Sequence, residues 1–192
     1  MDELASYTVV SCPPPWPRGE SRIHTAVAGP PVAVVRAEPW PEVITRPWPD
    51  GLKGLPWLPW LFGHKRTTAH SRTVVRRADG RPVLRLHERE PIFHRTVGIF
   101  DADDERVGYC RGVFKGAGDG VAVANPAHQV IGTLSKAGGS YRFTAPDGGP
   151  LGEIAAATGG YVVTATGERP DTRLFLLAAA LVLISWGRLP AP

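Results

Sequence analysis

From about Thr73, short hydrophobic runs alternate with polar turn residues, and one plan recurs four times along the chain. Each unit is a strand-like run, a polar turn and a second run, and in the later units an apolar residue is followed by glycine at 108, 132 and 152. The turns contain Asp79-Gly80, Asp101–Glu105, Asn125-Pro126 and Asp147-Gly148. Regularly spaced short strands with turn residues between them indicate an all-β barrel or sandwich of at least ten antiparallel strands.

The C-terminal run Leu174–Trp186 has a different pattern, because it is apolar on every face and rich in helix-forming residues. Asp171 or Thr172 can cap the start of a helix, and Gly187 can end it. A helix of this length spans about 20 Å, whereas a bilayer core is about 30 Å thick. The sequence therefore predicts a helix over residues 173–186 that is buried inside the protein.

The first third of the chain is dominated by proline. Residues 1–22, with three prolines after Cys12, are expected to form a flexible lead, and residues 23–192 a single domain. Within that domain Val32–Val35 is strand-like, but the segment 39–63 is rich in Pro-Trp pairs. Proline at this density excludes a regular helix or a central strand, so an extended loop or an edge segment is expected there.

The ordered set of hairpin units followed by an apolar terminal helix resembles the phospholipid scramblase and LURP-one-related families, which share the tubby C-terminal fold. The residues that carry the resemblance are Val83–Leu86, Val97–Asp101 with Val107 and Gly108, Val123–Asn125 with Ile131–Leu134, Phe143–Asp147 with Leu151 and Gly152, and Leu174–Trp186. The resemblance covers roughly residues 73–186. It implies a mainly-β fold, a closed antiparallel barrel of about twelve strands around the buried C-terminal helix.

Charge adds a candidate binding surface. The whole chain has a formal net charge of +4, but residues 64–95 alone hold nine Lys or Arg against three acidic residues. Strand alternation places Arg85, His87 and Arg89 on one solvent-facing side, opposite Leu84 and Leu86. In the tubby relatives a basic outer surface meets phosphoinositide head groups, so the resemblance implies peripheral binding to an anionic phospholipid membrane. The candidate lipid-binding residues are Lys65, Arg66, Arg76, Arg81, Arg85 and Arg89.

The same charge has two other interpretations. It is also what an ordinary solvated outer face looks like in an arginine-rich protein. Nucleic acid is not the expected partner, because no RNP, zinc-finger or helix-turn-helix motif accompanies the basic residues.

The Pro-Trp segment supports an alternative function. Its tryptophans are Trp40, Trp48, Trp57 and Trp60. They could pack over an open side of the barrel, contact a protein partner or enter a membrane interface, where tryptophan is enriched. The alternative to lipid binding is therefore a protein-interaction module or assembly subunit that uses this segment.

No pattern of catalytic residues is present. The sequence has no nucleophile elbow and no phosphate-binding loop, so a non-enzymatic protein without a cofactor is expected. The acidic run Asp101–Glu105 lacks the glycine and glutamate spacing of an EF-hand, and a charged hairpin turn is expected instead. The six histidines show no metal-ligand spacing, so no metal site is expected.

The N-terminus begins with acidic residues and has no apolar signal segment, which predicts a cytoplasmic protein that can associate with membranes. In a reducing compartment Cys12 and Cys110 are expected to remain unpaired thiols.

Overall fold

The computed structural model describes residues 6–10, 21–24, 31–39, 44–47, 65–68, 70–89, 96–115, 118–158, 160–166, 170–186 and 189. These residues form fourteen β-strands and one α-helix. The strands are β1 (Ser6–Val10), β2 (Ser21–His24), β3 (Pro31–Pro39), β4 (Ile44–Pro47), β5 (Lys65–Thr68), β6 (His70–Arg77), β7 (Pro82–Arg89), β8 (Thr96–Phe100), β9 (Arg106–Lys115), β10 (Gly118–Ala124), β11 (Val130–Ala137), β12 (Ser140–Thr144), β13 (Pro150–Ala157) and β14 (Gly160–Ala165). The helix, α1, is Pro170–Ser185.

Eleven strands form one antiparallel sheet in the order β14-β13-β12-β11-β10-β9-β8-β7-β6-β3-β2. Each strand pairs with its neighbour in the chain, except that β3 pairs with β6 across the intervening residues 40–69. Strands β4 and β5 form a separate two-stranded sheet. The predicted mainly-β class with a C-terminal helix is confirmed.

The N-terminal residues differ from the expected flexible lead. Strand β1 lies within residues 1–22, and β2 begins at Ser21. In register, β1 pairs antiparallel with β14 and also with β2. The run Tyr7–Val10 is aromatic and β-branched, which favours a strand, and the prolines that follow it obscured this signal.

The four repeated units are hairpins with one shared turn geometry. In each turn the backbone N–H of the first residue donates to the carbonyl oxygen four positions later. Its own carbonyl oxygen accepts from the N–H three positions later. The fourth turn residue has a positive φ, and it is Gly80, Asp104, His128 or Gly148. This is a type I turn followed by a left-handed residue, which suits antiparallel strands with right-handed twist. Because alternate connections lie at the same end of an antiparallel sheet, the four turns line one end.

Helix α1 is buried against the inner face of the sheet. It contacts β7, β9, β10, β13 and β14, so the sheet curves around it. Residues from Phe175 to Leu183 are all buried, together with inward strand residues such as Leu84, Ile99 and Phe143. The predicted burial of the apolar helix is therefore confirmed. In the part of the chain that the structure describes, no helix has both the length and the hydropathy to cross a bilayer.

At two of the repeated glycines, neighbouring atoms lie too close to the backbone to leave room for a side chain. A Cβ atom on Gly108 would lie 2.6 Å from the carbonyl oxygen of Ala124 and 2.8 Å from the Phe175 ring. A Cβ atom on Gly152 would lie 2.5 Å from Leu176 Cδ2. These glycines therefore let α1 approach the sheet closely at Phe175 and Leu176.

Candidate anion-binding surface

Five neighbouring strands, β3, β6, β7, β8 and β9, share an outer face that is rich in arginine. Their inward residues, such as Val35, Leu84 and Cys110, are fully buried. Alternation then sends the intervening side chains outward. We call this set the basic outer face: Arg36, Arg72, Arg76, Arg85, Arg106 and Arg111, with His87, Glu38 and Asp104. Six arginines against two carboxylates give it a net charge of +4 when His87 is neutral.

The outer surface of β11, β12, β13 and β14 does not carry this positive charge. The outer residues Ser135, Arg142, Glu153 and Thr164 face one another in register across β11, β12, β13 and β14. All four are exposed, and the row has no net charge. The positive charge is therefore concentrated on one half of the outer surface.

Val74 is a buried apolar residue on this arginine-rich face. It lies on the outer face, because its cross-strand partners are Arg36 and Arg85, yet it is fully buried. Arginine side chains cover apolar surface with their aliphatic stems and keep the charged group near water. We infer that the arginines beside Val74 also pack over this part of the sheet.

Glu38 neutralises part of this face. Its Oε1 accepts a hydrogen bond from Arg76 Nη2 at 2.8 Å, and its Oε2 lies 3.9 Å from Arg72 Nε. All three side chains are partly exposed, and ion pairs of this kind contribute about 0–1 kcal/mol. Arg76 is thus on the predicted face but has an acidic partner.

Arg85 is the most enclosed arginine of this face. Its Nη1 donates to the carbonyl oxygens of Asp101 and Ala102, both at 2.9 Å, and lies 3.5 Å from Asp104 Oδ1. Only 15% of its side chain is exposed. Alternation predicted the correct side of the strand, but the side chain points into the β8–β9 turn and not into open solvent.

The acidic turn and the basic residues therefore form one structure. Asp104 Oδ1 also lies 3.9 Å from Arg72 Nη2, so one carboxylate stands between two arginines. The turn itself is held by Asp101, whose Oδ1 accepts from the backbone N–H groups of Asp103 and Glu105 at 2.9 Å. The run Asp101–Glu105 is a charged hairpin turn, as predicted.

An aromatic pair lies in the middle of the face. The rings of His87 and Phe100 stack with centroids 4.2 Å apart, and the Arg106 guanidinium lies 5.4 Å from the Phe100 centroid. Gly98 is the cross-strand neighbour of His87, and the Phe100 ring occupies the space where a Cβ of Gly98 would be. Burial lowers the pKa of His87, and Arg72, Arg85 and Arg106 lower it further, whereas Asp104 raises it.

The predicted lipid-binding residues fall into three groups. Arg76 and Arg85 are on the basic outer face, and Arg81 lies at the β6–β7 turn with 85% of its side chain exposed. Lys65 and Arg66 belong to β5 in the separate two-stranded sheet. The side chain of Arg89 lies outside the described residues, as do Trp40, Trp48, Trp57 and Trp60.

Sequence reasoning missed Arg36, Arg106 and Arg111. All three are exposed residues of β3 and β9. Arg36 follows the buried Val35 in an alternating run, which is a usable local signal. No local signal places it beside β6, because that pairing joins strands separated by thirty residues.

The described residues show no arrangement for nucleophilic or metal chemistry. Cys110 is an unpaired thiol, as predicted, while Cys12 lies outside the described residues. Burial raises the pKa of the Cys110 thiol to about 12, which keeps it protonated and unreactive. Within the same residues, no three His, Cys, Asp or Glu side chains are grouped so that they could hold a metal ion.

No protein-family model matches the chain, and comparisons with curated proteins and with solved structures give no match.

Proposed function

We propose that this protein binds anionic phospholipid membranes peripherally and without catalysis, through the basic outer face. The observation that carries the proposal is the net charge of +4 on the basic outer face, beside a row without net charge on β11–β14. A basic side chain close to an anionic leaflet contributes about 1 kcal/mol, and several on one face add. The attraction falls within a Debye length, which is about 10 Å at 0.1 M salt.

The proposal includes a closed tubby-like barrel of twelve strands. It is supported by the pairing of β1 with β14 and with β2, the two outermost strands of the eleven-stranded sheet. It is also supported by α1, which contacts strands from both halves of that sheet. A closed barrel has no free edge strand, and its interior is filled by the helix. Its outer face would then be the main surface for a partner.

The surroundings of each arginine favour some residues over others for the proposed contact. Arg85 holds the β8–β9 turn and Arg76 pairs with Glu38, so neither is the best candidate for the first contact with a headgroup. Arg106 and Arg111 are exposed on β9, and we assign the first contacts to them. Arg36 is exposed at the other side of the face, on β3.

The test is co-sedimentation with phosphatidylserine vesicles and with phosphatidylcholine vesicles, at low and high salt. We expect binding to the anionic vesicles that weakens as salt rises. Arg106→Gln and Arg111→Gln should each reduce affinity about five-fold, from the loss of roughly 1 kcal/mol per charge. Arg142→Gln is the matched control, because Arg142 is exposed on the neutral half of the surface.

Three results would contradict the proposal: equal binding to neutral vesicles, binding that is indifferent to salt, or an equal loss from the Arg142 control. If anionic vesicles are not bound at low salt, the protein-interaction alternative becomes the better hypothesis.

A further inference from the structure

The four equivalent hairpin turns allow a comparison within one chain. The left-handed position is glycine in two of them, Gly80 and Gly148, as expected where a Cβ atom is disfavoured. In the other two it is Asp104, with φ 68°, and His128, with φ 65°. Both of these side chains contact the outer face: Asp104 lies against two arginines, and His128 Nδ1 is hydrogen-bonded to the Tyr109 hydroxyl.

The Asp104 carboxylate is not what holds its own turn together. That role belongs to Asp101, which accepts the N–H groups of Asp103 and Glu105. The Asp104 carboxylate instead lies 3.5 Å from Arg85 Nη1 and 3.9 Å from Arg72 Nη2. Its position therefore serves the basic outer face more than the hairpin.

The contacts of the Asp104 carboxylate with Arg72 and Arg85 are long and open to water. A charge-assisted hydrogen bond between nitrogen and oxygen is usually about 2.7–2.9 Å, which is shorter than either distance. The Asp104 side chain is 55% exposed, so another anion can approach the same arginines. Arg85 uses only Nη1 in its two carbonyl bonds, and a guanidinium carries five N–H donors in all.

We propose that Asp104 is an internal competitor that occupies an anion position between Arg72 and Arg85, and that the phosphate group of an anionic phospholipid displaces it. The contact is autoinhibitory, because the carboxylate lowers the positive charge that a membrane meets. This inference rests on the proposed membrane binding and adds its regulation.

The test compares Asp104→Asn with Asp103→Asn in the full chain, using phosphatidylserine vesicles at low salt. Asparagine tolerates the left-handed conformation, so the turn is retained. Both variants remove one negative charge from the same exposed turn, but among the described residues no ion pair joins Asp103 to Arg72 or Arg85. We expect Asp104→Asn to increase affinity about two- to five-fold more than Asp103→Asn does, as for release of an exposed ion pair.

Combining each aspartate variant with Arg72→Gln gives a double-mutant comparison. In that background the extra gain from Asp104→Asn should shrink, while the gain from Asp103→Asn should persist. Equal gains from the two aspartates, or an Asp104 gain unchanged by Arg72→Gln, would overturn the inference. If the wild type and every variant fail to bind anionic vesicles, it is the proposed function that fails.

A separate arm identifies the source of the phosphate. Inorganic phosphate is added to Asp104→Asn without vesicles, with chloride at the same ionic strength as the reference. We expect no saturable change in thermal stability. A saturable change specific to phosphate would assign the position to free phosphate and overturn the assignment to a lipid headgroup.

Discussion

Trp186 donates its indole N–H to Oε1 of Glu88 across a distance of 2.6 Å. Trp186 directly follows α1, and Glu88 lies near the end of β7, at the end of the sheet opposite the four shared turns. A helix that is apolar on every side has no polar face that could fix its rotation or depth. We infer that this hydrogen bond helps to set the position of α1 within the sheet.

We therefore expect Trp186→Phe to destabilise the protein by about 1–3 kcal/mol, because a hydrogen bond to a carboxylate is lost from a partly buried site. Glu88→Gln keeps an acceptor and should cost less. The free energy of unfolding in urea is the measurement, and Glu153→Gln, an exposed change on β13, is the control. A Trp186→Phe cost no larger than that of the control would show that the bond does not hold the helix.

The close approach of α1 to the sheet makes a second prediction. Gly108→Ala places a methyl group within 3 Å of the Ala124 carbonyl oxygen and the Phe175 ring, and overpacking of this kind costs about 1–3 kcal/mol. Gly139→Ala is the matched control, since a Cβ atom on Gly139, at the β11–β12 turn, would have nothing within 4 Å. Thermal or urea unfolding of the two variants separates them. Similar stabilities would mean that the interior has room that the structure does not show.

Cys110 makes stability depend on alkaline pH. Burial raises the pKa of its thiol from 9.0 to about 12, so above pH 9 the unfolded chain loses a proton that the folded protein retains. The stabilising contribution of the buried thiol is therefore complete below pH 9 and is lost as pH rises toward 12. At pH 10 the loss is about 1 kcal/mol.

Comparison with Cys110→Ala isolates this effect, because the other titrating groups are common to both proteins. Between pH 8 and pH 10 the wild type should lose about 1 kcal/mol more stability than the variant. Parallel pH profiles for the two proteins would contradict the burial of the thiol.

Local patterns in the sequence were enough to predict the hairpins and the helix. The turn at Asp79-Gly80 reports a constraint that lies within a few residues, the positive φ of Gly80. The buried helix was predictable because it is too short to span a bilayer and too apolar to be exposed to water. In these cases the physical cause and its sequence signal are close together in the chain.

Contacts between distant parts of the chain were not predictable in this way. The pairing of β3 with β6 and of β1 with β14 joins residues far apart in sequence. Alternation placed Arg85 on the outer face, but it did not place Asp104, in the β8–β9 turn, 3.5 Å from Arg85 Nη1. The sequence showed a basic run and an acidic turn as separate features, whereas the structure makes them neighbours.

The pKa of His87 depends on the charges of the basic outer face and can be measured without a ligand. Burial and the charges of Arg72, Arg85 and Arg106 lower its pKa below the usual 6.5, and Asp104 partly opposes them. Because the folded pKa is lowered, the stabilising contribution is present above pH 6.5 and is lost as pH falls through the folded pKa. Mild acid should therefore destabilise the wild type more than His87→Gln.

The same histidine can report the removal of the Asp104 charge. Asp104→Asn takes away a carboxylate that favours the protonated ring, so the pKa of His87 should fall further. Asp103→Asn, in the same turn, should change it less. A proton NMR titration of the imidazole measures all three proteins. If Asp104→Asn leaves the pKa of His87 unchanged, the carboxylate does not lie over the basic outer face in solution, and the proposed competition loses its structural basis.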